Sequence, residues 1–262
     1  MRAAAVQFAP VFGGVELNLA KALRFIADHD ADLFVFPELA LSGYVFASRA
    51  EVLELAQRAD GPELRRVAEA AAAKRACVVI GFAERAGSSV FNSSFVAGPD
   101  GTRAVYRKIH LFDREKTLFE PGDGPPLVVE GVGARLGLMV CFDWIFPETA
   151  RTLALLGADV LCHSANLVLP YCQSAMVTRC IENRVFAVTA NRTGTEARAG
   201  VSLIFTGSSQ IVSPSGVVLA RATADREEVI VAEIDPAAAR DKLVTPGNDL
   251  FRDRRPDLYR LG

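Results

Sequence analysis

Apolar and polar positions follow two periods along this chain, and each switch between them marks an element. "RAAAVQFAP" has the short apolar run of a strand, and "VELNLAKALRFIADH" then places apolar residues at helical spacing. "DLFVFPE" is a continuous apolar run of the kind buried strands carry. "GPELRRVAEAAAAKR" predicts a helix with Pro62 in its first turn. "CVVIGFAE", "VFNSSFVAG" and "TRAVYRK" predict strands, the last two joined by the turn "GPDG". "PLVVEG" and "ARLGLMVCF" predict two more, and "PETARTLALLGA" a helix with Pro147 near its start and Gly157 near its end. "DVLCHSAN" reads as a strand, "SAMVTRCIENR" as a helix and "VFAVTAN" as a strand. "SSQIVSPSGVVLARA" predicts a hairpin around Pro214-Ser215-Gly216, and "EVIVAEID" the last strand.

No Gly/Ser-rich or Pro-rich linker divides the chain, and no internal repeat stands out. The expectation is one α/β domain over residues 1–262, many-stranded and layered by helices. Residues 236–262 are charged, with Arg252, Asp253, Arg254 and Arg255 clustered, and read as a surface extension that packs on a partner subunit.

Composition narrows the function classes. Half the residues are hydrophobic, enough for a sizeable core, and the formal net charge is -2. No basic excess points to nucleic acid or an anionic membrane. No run approaches the roughly 18 apolar residues of a membrane span, and "MRAAAVQFAP" lacks the build of a signal peptide. The 5 cysteines are an odd number with no CxxC pair, so they read as reduced thiols in a cytoplasm. The 3 histidines are scattered, which argues against a zinc site.

Three stretches carry candidate chemistry. In "LFVFPELALSGY", Glu38 directly follows a buried strand, where α/β folds put ligand sites. Alone it reads as a solvated loop carboxylate, but its apolar neighbours would raise its pKa and fit it to act as a base. In "YRKIHLFDREKTLFEPGD", Arg107 and Lys108 end a strand and Glu115 follows in an unusually apolar loop. A lysine buried there needs carboxylate partners. In "GLMVCFDWIFPE", Cys141 ends a strand just before a helix begins, where backbone N–H groups can face a developing oxyanion. A lone cysteine is more often inert packing than a nucleophile. Together, however, one thiol, one lysine and carboxylates at strand ends form a workable acyl-transfer set.

Competing motifs are missing. There is no GxSxG elbow and no GxxxxGK[ST] loop, and "GVGARLG" leads into a strand instead of a helix. A Cys–His pair using His110 or His163 has no supporting signature.

"FPELALSGY", "YRKIHLFDREKTLFEPGD" and "GLMVCFDWIFPE", in this order and at this spacing, resemble the carbon–nitrogen hydrolase, or nitrilase, superfamily. "GADVLCHSANL" and "RCIENRVFAVTANR" resemble its later blocks, so the likeness spans nearly the whole chain. The resemblance implies a four-layer α-β-β-α sandwich and a Glu–Lys–Cys triad. Glu38 matches the general base, Lys108 the oxyanion-stabilising lysine, Cys141 the nucleophile and Glu115 a second glutamate beside them. The Phe142 N–H would be the second oxyanion donor. It also implies no metal or organic cofactor, and subunits paired into a homodimer or higher homo-oligomer with the C-terminal segment taking part.

Cys141-Phe142-Asp143 resembles the amidase branches more than the Cys-Trp-Glu of many nitrilases. Some branches place an arginine a few residues after the nucleophile to hold a substrate carboxylate; Trp144 and Ile145 stand here. The expectation is therefore a small neutral aliphatic amide in a pocket lined by Tyr44, Phe112, Trp144 and Asn166. A nitrilase acting on small aliphatic nitriles is the first alternative, and a non-catalytic interaction member the second. Cys77, Cys162, Cys172 and Cys180 read as packing residues.

Overall fold

The computed structural model describes residues 1–259. Strand β1 (Arg2–Gln7) leads through helix α1 (Val15–Asp28) to β2 (Leu33–Val35). Helices α2 (Arg49–Leu55) and α3 (Pro62–Lys74) precede strands β3 (Cys77–Ala86), β4 (Ser89–Ala97) and β5 (Arg103–Arg107). A single turn, α4 (Glu115–Leu118), then leads to β6 (Val128–Gly131), β7 (Ala134–Val140), α5 (Pro147–Leu155), β8 (Val160–Ala165), α6 (Cys172–Asn183) and β9 (Phe186–Asn191). A small hairpin, β10 (Thr195–Arg198) and β11 (Val201–Ile204), stands outside the main sheets. Strands β12 (Gln210–Val212), β13 (Val218–Arg221) and β14 (Glu228–Glu233) follow, then a terminal hairpin, β15 (Leu243–Thr245) and β16 (Asn248–Asp249).

The strands build two 6-stranded sheets, ordered β14-β1-β2-β3-β4-β5 and β13-β12-β9-β8-β7-β6. The pleat explains how they stack. In the first sheet Ala3, Ala5, Leu33, Val35, Cys77 and Val79 point to one side and join the core shared with the second sheet. Their neighbours Ala4, Val6, Phe34, Phe36, Val78 and Ile80 point to the other side. There they meet Leu19, Ala22 and Ile26 of α1 and Leu64, Val67 and Ala71 of α3, which recur at helical spacing. Strands buried on both faces need apolar residues at every position, which is why they read as continuous runs. Helices α5 and α6 cover the outer face of the second sheet, and the result is the four-layer α-β-β-α sandwich.

Three local differences from the sequence reading matter. The strand expected to run through Cys141 and Phe142 stops at Val140, and Cys141–Ile145 form a 3-10 turn instead. Helix α2 was not foreseen; Ser48 caps it by accepting the Glu51 N–H. The hairpin β10–β11 was not foreseen either, being short and half exposed.

The charged C-terminal segment lies against the outer helices. Lys242 donates to the carbonyls of Asn183 and Arg184 at the end of α6, and Arg240 bonds Asp159 at 3.1 Å. Residues 260–262 of the expected extension lie outside the described residues. No helix among the described residues is long and apolar enough to cross a membrane.

Candidate active site

Strand direction brings the candidate residues to one end of the sandwich. β2 is parallel to β3, and β4 and β5 each reverse direction, so β2 and β5 point the same way. Glu38 leaves the end of β2 and Lys108 the end of β5. In the second sheet β7, β8 and β9 are parallel, and Cys141, Asn166 and Arg192 each follow the last residue of one of them. Ligand sites form at such carboxyl ends.

The Lys108 ammonium is the hub. It bonds Glu38 Oε1 at 2.8 Å and both oxygens of Glu115, at 2.8 Å and 2.7 Å. Asn92 Nδ2 donates to Glu38 Oε1 at 2.7 Å, while Glu38 Oε2 has no partner among the described residues. Glu38 and Lys108 are both 0% exposed. Burial raises the Glu38 carboxyl to about 7, with Lys108 pulling against the rise and Glu115 adding to it. Burial alone would drive the proton off Lys108, but Glu115 and Glu38 outweigh it and hold the lysine charged above its ordinary value.

The position of Glu38 depends on a missing side chain. Gly81 of β3 lies under the 37–39 peptides, exchanging backbone bonds with Pro37 and Ala40. A Cβ at Gly81 would fall 2.5 Å from Glu38 Cα. Gly122 makes a similar close approach to the Arg107 carbonyl beside Lys108.

Cys141 sits on a strained corner. Its φ is 43°, a left-handed conformation that costs a non-glycine residue roughly 1–3 kcal/mol. Asp143 holds the corner, accepting from Val140 N at 2.9 Å, Tyr106 OH at 2.8 Å and His110 Nδ1 at 2.8 Å. The Cys141 thiol reaches the Asn166 carbonyl at 3.8 Å. Burial pushes that thiol well up, and the charge of Glu38 pushes the same way. The thiol is therefore protonated at rest, with a carboxyl of near-neutral pKa nearby. The Phe142 N–H lies in the first turn after the strand, where backbone donors lack intrahelical partners.

The remaining expected residues fall in different places. Tyr44 donates its hydroxyl to Glu115 Oε1 at 2.6 Å. Tyr44 and Phe112 line a cleft of ≈ 60 Å³ with Val45, Phe46, Glu115, Leu118, Val201 and Leu203. Phe142 packs edge-on to Phe112, ring centroids 5.0 Å apart. Asn166 bridges the site, its side chain donating to the Glu38 carbonyl at 2.8 Å. Trp144 is buried in the core cluster that also holds Cys141, and Trp144, Asn166 and Cys141 all lie outside the residues that line this cleft. Neither candidate histidine bonds the thiol: His163 Nε2 lies 2.9 Å from the Cys141 carbonyl and His110 is on Asp143. Burial lowers His163 to about 4. The other cysteines are buried and free, with burial raising each thiol, Cys77 to about 11. Among the described residues no group of three or more His, Cys, Asp or Glu side chains is placed to hold a metal.

Sequence reasoning missed Asn92, Asp143 and Glu196. Asn92 did leave a signal, since Asn92, Ser93 and Ser94 interrupt an apolar strand yet are all buried. Buried polar side chains in a strand need partners, and here one partner is Glu38.

Comparison with known proteins gives a consistent result. Residues 2–242 match the family model described as carbon-nitrogen hydrolase. The chain is 44% identical over 263 residues to a nitrilase of Pyrococcus abyssi, covering 99% of each. It is 37% identical to an (R)-stereoselective amidase of Pseudomonas sp, covering 97% of this chain and 92% of that one. The fold superposes with a TM-score of 0.79 on an amidase from Nesterenkonia sp. AN1, 25% identical, covering 98% of this chain and 95% of the other. That structure shows covalent addition of the acetamide moiety of fluoroacetamide at the active-site cysteine.

Proposed function

The chain belongs to the carbon–nitrogen hydrolase family as a cysteine-dependent enzyme, and we propose that it hydrolyses a small neutral aliphatic amide to a carboxylic acid and ammonia through a thioester on Cys141. The observation that carries this reading is the convergence on Lys108: a buried ammonium paired to two carboxylates, one of which keeps an unpartnered oxygen and a pKa of about 7 near a protonated thiol.

The steps follow from these groups. Glu38 takes the Cys141 proton as the sulfur adds to the substrate carbonyl carbon. The Lys108 ammonium and the Phe142 N–H stabilise the oxyanion. As the intermediate collapses, the C–N bond breaks and Glu38 gives its proton to the departing nitrogen, releasing ammonia. Glu38 then takes a proton from water, whose oxygen attacks the thioester. The acid leaves and Cys141 regains its proton. Glu115 and Tyr44 keep Lys108 in place throughout.

Cleft size and chemistry support a small neutral substrate. A volume of ≈ 60 Å³, about two waters at their liquid density, suits a short acyl chain. Its walls are mostly apolar, and Asp113 and Arg114 contribute one charge of each sign to the lining. No arginine follows Cys141 in the Trp144–Ile145 positions.

A second reading, hydrolysis of small nitriles, is favoured by the 44% identity to a protein named nitrilase. The same residues would form a thioimidate; a first water adds to its carbon, ammonia leaves the resulting tetrahedral adduct to give the same thioester, and a second water hydrolyses that. Ammonia release from acetamide with acetonitrile, and propionamide with propionitrile, separates the two, with Cys141→Ala as the blank. Fast amides and silent nitriles support the first reading; fast nitriles yielding acid support the second. Comparable turnover of a neutral amide and its α-carboxylated analogue would remove the neutral-substrate assignment.

A further inference from the structure

Tyr44 and Glu196 are 152 positions apart, yet the Glu196 carboxylate accepts the backbone N–H of Tyr44 at 3.1 Å and also that of Val45. Glu196 lies on β10 and is 6% exposed. Its other oxygen accepts Arg192 Nη1 at 2.6 Å. Arg192 is buried and lies 4.0 Å over the ring of Phe205, which meets the Tyr44 ring edge-on at 5.9 Å. At the next peptide along, Arg198 Nη1 donates to the Val45 carbonyl at 2.8 Å while its Nη2 bonds Glu51 at 2.7 Å. The Tyr44–Val45 segment is thus gripped at two N–H groups, a carbonyl and a ring by residues that follow β9, in the other half of the molecule.

A charged pair buried to this degree is seldom worth its desolvation as stability alone. Its geometry here has a specific consequence. Tyr44 OH donates to Glu115 Oε1 at 2.6 Å, and Glu115 bonds the Lys108 ammonium. The hydroxyl reaches Glu115 only if the Tyr44 backbone stays where Glu196 holds it. The cleft walls agree with this link, since Val45 and Phe46 on the gripped segment face Val201 and Leu203 on the hairpin that carries the clamp.

We infer that Glu196, supported by Arg192, is a positioning residue: it fixes Tyr44 so that its hydroxyl orients Glu115 and, through it, Lys108 beside Cys141. The inference rests on the reading of these residues as the active site. It assigns the hairpin β10–β11 a part in setting reactivity as well as in walling the cleft.

A double-mutant cycle tests it. Glu196→Gln keeps the size and one acceptor oxygen but removes the charge. Turnover of propionamide and the rate at which iodoacetamide alkylates Cys141, followed by mass spectrometry of the Cys141 peptide, are both measured. The expected result is a fall of about tenfold in each from Glu196→Gln, and less than about twofold from the same substitution on a Tyr44→Phe background. Arg192→Lys, which keeps the charge but loses the planar fork, serves as a second entry to the cycle should Glu196→Gln fold poorly. Equal factors with and without the tyrosine hydroxyl would mean the clamp is structural only, and would overturn the inference. So would a Tyr44→Phe variant with undiminished alkylation. Coupled alkylation rates in a protein that turns over no amide would uphold the clamp and reject the substrate assignment.

Discussion

Asp143 accepts the backbone N–H of Val140 at 2.9 Å, closing the turn that lifts Cys141 off the end of β7. The same carboxylate receives Tyr106 OH from β5, so the corner is tied to the opposite sheet. The strained Cys141 backbone, with its φ of 43°, is held by this buried carboxylate together with His163, whose Nε2 lies 2.9 Å from the Cys141 carbonyl.

Asp143→Asn should therefore loosen the nucleophile. The amide keeps the shape but has one acceptor oxygen where the carboxylate had two, and its NH2 group faces either the Tyr106 and Val140 donors or the His110 donors. Losing charge-assisted bonds of this kind costs about 2 kcal/mol in stability. Urea denaturation should show that loss, and turnover should fall more than tenfold on the order expected for a displaced nucleophile. An Asn variant with unaltered turnover would mean the corner holds without the carboxylate.

Lys108→Ala should lower kcat by about two to three decades, the usual cost of removing one oxyanion donor. It also leaves Glu38 and Glu115 buried without their ammonium, a change worth about 3–5 kcal/mol of stability. Because protonation relieves unpaired carboxylates, the stability deficit should shrink as pH falls, as denaturation at pH 5 and pH 7.5 would show.

The pH dependence of rate and of stability should run in opposite directions. Glu38 must be ionised to accept the thiol proton, so kcat/KM should fall as pH drops below about 7. For stability, the folded-state pKa of Glu38 lies above its ordinary 4.5, so the native state holds this proton more tightly than the unfolded chain. Its contribution is full below 4.5 and is lost as pH rises through about 7. Glu38→Gln should flatten the stability change in that window, measured by urea denaturation against pH.

Gly81→Ala should cost more than its single methyl suggests, because the Cβ would meet the Glu38 backbone at 2.5 Å. The loop carrying Glu38 must shift, and misplacement by about 1 Å can cost two decades in rate. Gly124→Ala, where a Cβ meets nothing within 4 Å, is the control and should leave turnover unchanged.

The sequence disclosed what depends on local pattern. β1, β2 and β3 were legible because strands buried on both faces must be apolar throughout, and α1 and α3 because their buried faces repeat at helical spacing. Glu38, Lys108 and Cys141 could be singled out because each follows a buried strand, and the structure does bring them together around Lys108. Helix α2 has a local sign in the sequence, Ser48 followed three positions later by Glu51: Ser48 accepts the Glu51 N–H, and the Glu51 carboxylate accepts the N–H of Ala47 just before the cap. The end of β7 was misplaced by two residues because Cys141 and Phe142 suit a strand, while what ends it is the backward reach of Asp143. The hold of Glu196 on Tyr44 left no local trace, since the partners are 152 residues apart and meet only when both sheets have formed. Trp144 is singled out in the sequence because it neighbours the nucleophile, and it is buried in the same core cluster as Cys141.

The most direct test of the account is the chemical state of Cys141 during turnover. The enzyme is mixed with propionamide, quenched in acid within the first turnovers, and digested for mass spectrometry. The account predicts a propionyl group on the Cys141 peptide and on none of the peptides carrying Cys77, Cys162, Cys172 or Cys180, with the signal absent in Cys141→Ala. Turnover of propionamide with Cys141 unmodified at every quench time, and ammonia still released by Cys141→Ala, would contradict it.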